Sequence, residues 1–214
     1  MKKIKQKKMM WLTLALTVIV GVVLLGPAMS RVEQAKYSIV DYDGAIEIRD
    51  YAPKIIAQTT LSGDRKEAIG QGFRVIADYI FGNNTSAKKV AMTAPVLQQE
   101  SEKIAMTAPV LQEGSGDSWS VAFVMPDEYT METLPKPNNP LVTLIQVPSK
   151  RFAVIRFSGV ADDQNLQAHT AKLEAYIKSH ELTMLSVTPA YAFYNPPWTL
   201  PFMRRNEVMI EVSK

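Results

Sequence analysis

Cysteine is absent from this chain of 214 residues, and histidine occurs only twice. Without thiols there is no disulfide, no thiolate nucleophile and no Cys-ligated metal, and a Cys-free domain suits an oxidising compartment. His169 and His180 lie eleven positions apart. On one helix that is about 16 Å along the axis, too far to share an ion, so a site built from several imidazoles is excluded. A Gly-rich phosphate loop, an HExxH pair and a Ser-His-Asp context are also missing. No catalytic residue and no metal ligand is therefore assigned, and the expectation is a protein that is not an enzyme.

Acidic residues are missing from Met1–Lys8, which holds five lysines, and charge of either sign is missing from Met9–Met29 ("MMWLTLALTVIVGVVLLGPAM"). A helix of roughly 20 apolar residues crosses a ~30 Å hydrocarbon core. Residues 9–29 are read as a transmembrane anchor. The alternative is a cleaved signal segment, for which Ala28 and Ser30 supply small residues near a cut site. Both readings make 1–8 a cytoplasmic basic tail, 30–36 a linker and 37–214 a domain on the extracytoplasmic side of the cell membrane, crossed once. Of the 24 Lys and Arg, five lie in the tail, leaving 19 against 21 Asp and Glu. The basic pI therefore belongs to the tail, and no nucleic-acid partner is indicated.

What is present reads as α+β. Tyr37–Arg49 alternates around Asp43-Gly44 as a hairpin does, and Ile55–Leu61 reads as a strand. Asp64 is a candidate N-cap for a helix from Arg65 to Phe81, whose stripe is Ala68, Ile69, Gly72, Phe73, Ile76, Ala77 and Ile80. Trp119–Met125 and Val142–Val147 read as further strands. "YAPKIIAQTTLSG" leads into that first helix and "KRFAVIRFSG" into a second one containing Tyr176-Ile177. The two Ser-Gly pairs are 96 positions apart. This spacing suggests duplicated β-α-β-β units forming a distorted antiparallel barrel with two outer helices, against a chance match of two strand–helix pairs. "KVAMTAPV" and "KIAMTAPV" form a local repeat, read as two short strands around the polar turn Gln98–Lys103. Pro95 and Pro109 should place each at an edge or a bulge.

The phrases "IEIRDYAP", "AIGQGFRVIADYIFGNN", "KVAMTAPV" with its echo, "VAFVMP", "FYNPPW" and "RRNEVMIEV" run in order from Tyr37 to Val212. Together they resemble the SOUL/haem-binding protein family, and the doubled motif with an anchor resembles its bacterial branch. The resemblance implies the duplicated fold and binding of haem or another tetrapyrrole, with no known reaction. It also implies a groove between the first helix (Arg65–Phe81) and the loop Tyr191–Phe202. Asp50 stands where one branch carries a His ligand, Gly70 where a basic helix residue is expected, and Thr199 near an expected Lys. No axial ligand is assigned. The expected contacts are Ile69, Phe73 and Ala77 on the helix and Tyr194 and Trp198 on the loop, with Arg74, then Arg65, as propionate partner.

Plainer accounts stand beside these. The histidines fit the boundary of an amphipathic helix. Met92, Met106 and Met125 fit core filling as well as a soft groove wall, and the loop aromatics fit a barrel lid. Arg205 and Glu207, which share a strand face with Met209 and Glu211, fit a cross-strand structural pair. Two other functions remain open: an interaction or structural domain at the membrane surface that binds no haem, and a hydrolase of small hydrophobic substrates in the same groove. No protein partner is assigned.

Overall fold

The computed structural model describes residues 32–86 and 101–213. The anchor expected at 9–29 and the first repeat copy lie outside the described residues. Among the described residues, no helix is long and apolar enough to cross a membrane.

Strands β1 (Tyr37–Asp43) and β2 (Ile46–Tyr51) form the expected hairpin. Gly44 turns it at φ +57°, a conformation that glycine adopts without steric cost. Strand β3 (Lys54–Ser62) leads to helix α1 (Arg65–Ile80). The Asp64 carboxylate caps that helix by accepting from the amides of Lys66 and Glu67. The short strand β4 (Asn84–Thr85) pairs with β7 (Lys136–Pro137), while β5 (Val110–Ser115), β6 (Ser118–Val124) and β8 (Thr143–Val147) join the main sheet. Then β9 (Lys150–Phe157), α2 (Asp163–Ser179), β10 (Ala190–Phe193) and β11 (Asn206–Glu211) complete the chain, with Asp162 capping α2.

Nine strands form one antiparallel sheet in the order β1-β2-β9-β11-β10-β5-β6-β3-β8. The strand–helix–strand–strand runs β3-α1-β5-β6 and β9-α2-β10-β11 take equivalent places on either side of the β10–β5 pair. The strand preceding each run crosses to the other one: β2 pairs with β9, and β8 with β3. The barrel expected from the sequence stays open. No pairing joins β1 to β8, so the sheet curls into a half-barrel. Its outermost strands end in charge or proline (Asp41 and Asp43 on β1, Pro148 after β8), which discourages further pairing.

Both helices lie on one face. α1 packs on β3 and β6, and α2 on β9 and β11. Ile76, Tyr79 and Ile80 seal the first interface against Ala57, Val121 and Phe123. Leu166, Leu173 and Ile177 seal the second against Ala153, Ile155 and Val208.

The second repeat copy is architectural, but not as an edge. Pro109 falls just before β5, where the missing N–H is harmless, and β5 then runs in the middle of the sheet. Ile104 enters the core beside α1. The Thr107 hydroxyl donates to the Val124 carbonyl. Ala108 exchanges backbone hydrogen bonds with Glu33 and Ala35, so residues 32–36 of the expected linker are docked on the domain.

Candidate functional site

Because α1 stands over β3 and β6 and α2 over β9 and β11, β5 and β10 form the floor of a valley between them. Val110 and Phe193 face each other in register on that floor, and Phe123 flanks Val110 on the next strand. Phe73 of α1 is 39% exposed and lies 5.3 Å from Phe123, ring to ring. Ile69 and Ala77 are half-buried on the same helix. One end of the valley is bolted shut by Arg65. Its guanidinium donates to Asp163 at 2.9 Å and to Gln112 at 3.2 Å, and lies near the rings of Trp119 and Tyr191. Arg65 is thus a tie between helix starts, already engaged.

At the chain's return, Trp198 and Phe202 are 64% and 72% exposed. The loop that carries them is braced by Arg204, which donates to the carbonyls of Thr199 (2.7 Å) and Pro197 (2.6 Å). It is braced again by the Gly159 amide, which donates to the Pro201 carbonyl. Three prolines and these bonds hold aromatic surface in water, where it offers a stacking wall for a flat ring.

The opposite face of the sheet carries charge. Glu207 is fully buried, and Arg49 nearly so. Their fork is bidentate at 2.9 and 3.1 Å. Arg205 adds a hydrogen bond to Glu207 at 2.9 Å, and the Tyr194 hydroxyl another at 2.8 Å. Arg49 also donates to Tyr51 and Glu47, while Tyr37 and Tyr194 place their rings under Arg49 and Arg205. Burial by itself would raise the Glu207 carboxyl. The hydrogen bonds and charge of Arg49, then the charge of Arg205, outweigh it and hold Glu207 below its ordinary 4.5. Burial likewise pushes the Tyr51 phenol up to about 12, so it stays neutral and accepts from Arg49.

Beside this cluster the curled sheet encloses a cavity of about 260 Å³, with Ile56, Leu111, Ala122, Ile145 and Met209 among its walls. Lys54, Glu113, Lys150 and Glu211 also line it. Lys150 and Glu211 pair at 2.6 Å.

The structure thus brings Ile69, Phe73 and Ala77 to the valley with the floor residues Val110 and Phe193. Strand alternation carries Phe193 to the helix side and Tyr194 to the other, where its hydroxyl serves Glu207. Arg74 is exposed on α1, beside Gly70 and Gln71. Asp50 is held by Arg151 at 2.7 and 2.8 Å. His169 stacks on Phe157 at 4.0 Å and His180 on Tyr176 at 3.9 Å, each with Nδ1 near a carbonyl one turn back. Met106 is 39% exposed, and Met125 is core. Arg205 and Glu207 pair along one strand rather than across two. Sequence reasoning missed Arg49 and Lys54. The alternation of Ile46, Ile48 and Arg49 gave no sign that the arginine side of β2 would be covered. Among the described residues, no group of three or more acidic, His or Cys side chains could hold a metal ion.

The comparisons agree with this architecture. The C-terminal domain of EcmrR matches with a TM-score of 0.56 at 11% identity, over 83% of this chain and 98% of its own. A hydrolase from Listeria innocua matches at 0.52 and 14%, over 81% and 94%. An uncharacterised conserved protein from Listeria innocua matches at 0.50 and 14%, over 78% and 92%. At these identities the likeness concerns the fold alone. No curated protein matches the chain. The family model described as SOUL heme-binding protein matches residues 32–211, nearly all of the folded domain. The chain belongs to the SOUL haem-binding family.

Proposed function

We propose that this chain binds haem or a related tetrapyrrole in the valley between α1 and the Trp198 loop, and that it catalyses no reaction there. The observation that carries this is Phe73, 39% exposed above the buried Phe123, beside a floor on which Val110 and Phe193 are only half-buried. The ring face would rest on Phe73, Ile69 and Ala77, with Trp198 closing from the loop and Phe193 taking the place expected of Tyr194. Arg74, exposed on the same helix, is the propionate partner. Covering one porphyrin face removes about 200 Å² of apolar surface, roughly 5 kcal/mol gross. Association entropy offsets much of it, so affinity should be micromolar.

The N-terminal apolar segment would tether the domain on the extracytoplasmic side. Docking of residues 32–36 supports a short reach to the membrane, because few residues remain between the anchor and the fold. Alkaline phosphatase fused after Lys214 should be active, and an inactive fusion sinks the assignment of side. A haemin titration followed by Soret absorbance tests the binding. Saturation at micromolar haemin is expected, whereas a linear rise with no saturation below about 100 μM ends the reading. One relative in fold is a hydrolase, so esters and lactones should be assayed, and measurable turnover would remove the non-catalytic part.

A further inference from the structure

The concave cavity is too small for the ligand of the valley. At about 260 Å³ it lies below the ~300–1,000 Å³ of drug-sized sites, and haem has roughly 40 non-hydrogen atoms. Its walls are mostly aliphatic and aromatic. Its charges do not cancel locally. Lys150 is taken by Glu211 at 2.6 Å. Lys54 has no carboxylate partner among the described residues; its Nζ lies 4.5 Å over the Tyr51 ring, and Lys150 repels it. Glu113 is distant in register. It faces Ser120, which faces Thr60, six positions along β3 from Lys54. The Lys54 end therefore holds two ammonium groups and one carboxylate. An ammonium group in an apolar chamber lacks the anion that would offset its desolvation.

We propose that this cavity is a second ligand site, taking a small carboxylic acid with a compact apolar body whose carboxylate pairs with Lys54. The body would lie against Ile56, Ile145 and Met209. Burial, then the charge of Lys150, lowers the Lys54 amine to about 8. The groups facing it are Tyr51 from β2, Lys150 from β9, Glu211 from β11 and, further off, Glu113 from β5, whose carboxyl burial raises. β6, β8 and β10 bring no charge to the lining. On its outer side Lys54 also borders an open depression with Asp127 and Glu132, where Asp127 is held by Lys36 at 2.6 Å. An anion needs the protonated amine, so affinity should be full below pH 8 and fall as pH rises through it.

The test uses the full chain in lipid nanodiscs and three isosteric probes: cyclohexanecarboxylate, cyclohexylmethylammonium and cyclohexylmethanol. Calorimetry should show the carboxylate binding at least tenfold tighter than the other two, with affinity declining above pH 8. Lys54→Gln should weaken it at least tenfold and Lys54→Arg should restore it. Preference for the ammonium probe, an unchanged Lys54→Gln, or binding of no probe below about 10 mM overturns the proposal. If Lys54→Gln fails to fold, acylation of Lys54 at pH 8 in the unmodified chain gives the answer. Cyclohexanecarboxylate should slow it, and no protection overturns the site. Haemin binding should be unchanged when the cavity is saturated, so failure at one site is separable from failure at the other. Competition between the two ligands would refute a separate site.

Discussion

The two faces of the central strands solve opposite problems. Towards the helices, β11 presents Val208 and Ile210, and β10 presents Tyr191 and Phe193, an apolar surface that the helices cover in part. Away from them, β11 presents Glu207, Met209 and Glu211, and Tyr194 follows β10 onto the same side, where ionic and apolar groups alternate and most polar atoms are matched. The helix side draws its stability from the removal of apolar area, which tolerates a gap such as the valley. The concave side depends on complete pairing, because a buried charge without its partner is costly. One face can therefore stay half open and still be stable. The other must be filled, except where a ligand is expected.

Breaking the ionic side should give the largest effect. Arg49→Ala leaves Glu207 with Arg205 and Tyr194 but without its bidentate partner. Urea denaturation should show a loss of about 3–5 kcal/mol. Arg151→Ala, which removes the half-exposed partner of Asp50, should cost under about 1 kcal/mol. Equal losses would mean that the cluster is not a structural keystone. The same cluster sets an acid limit. Glu207 titrates lower in the folded chain than in the unfolded one, so its contribution is complete above pH 4.5 and is lost as pH falls through the folded value. Glu207→Gln should flatten that acid limb of the stability curve.

Gly72 probes the helix side. A Cβ there would meet Val121 Cγ2 at 2.7 Å and Thr59 Cγ2 at 3.3 Å, with the β6 side chain held in the sheet. Gly72→Ala should lift α1 from the sheet and cost about 1–3 kcal/mol. A gain in thermal stability would mean that the packing yields more readily than these distances imply.

The valley should respond in affinity rather than stability. Phe73→Ala with Trp198→Ala should weaken haemin at least tenfold, about 1.4 kcal/mol, while melting changes little. His169→Ala and His180→Ala should leave the Soret band in place, and metal-free porphyrin should bind about as well as haemin. If either histidine variant abolishes the spectrum, iron ligation rather than stacking holds the ring.

The smallest effect belongs to Thr59. Its hydroxyl is buried with no hydrogen-bond partner among the described residues. Thr59→Val should raise stability by about 1 kcal/mol in thermal unfolding. A loss instead would show that the hydroxyl is satisfied in solution.

Local signals made much of the fold legible. Asp64 and the stripe from Ala68 to Ile80 specify α1 within a residue or so, because capping and 3.6-residue periodicity act over neighbouring turns. Asp43-Gly44 specifies the first hairpin for the same reason. The site was legible only in part. Phe73, Ile69 and Ala77 follow from the helix stripe, but the choice between Phe193 and Tyr194 turns on strand phase, and a one-residue slip exchanges the faces.

By itself, then, the sequence determined the elements, the two equivalent runs and the absence of thiol and multi-histidine chemistry, since each depends on residues close together or on composition alone. Only the tertiary structure decided which charges are buried. Arg49 and Glu207 are 158 positions apart, and Lys54 meets Lys150 across 96. The crossing of β2 to β9 and of β8 to β3 brings them together, and a strand's own pattern does not say whether its polar face meets water or another layer.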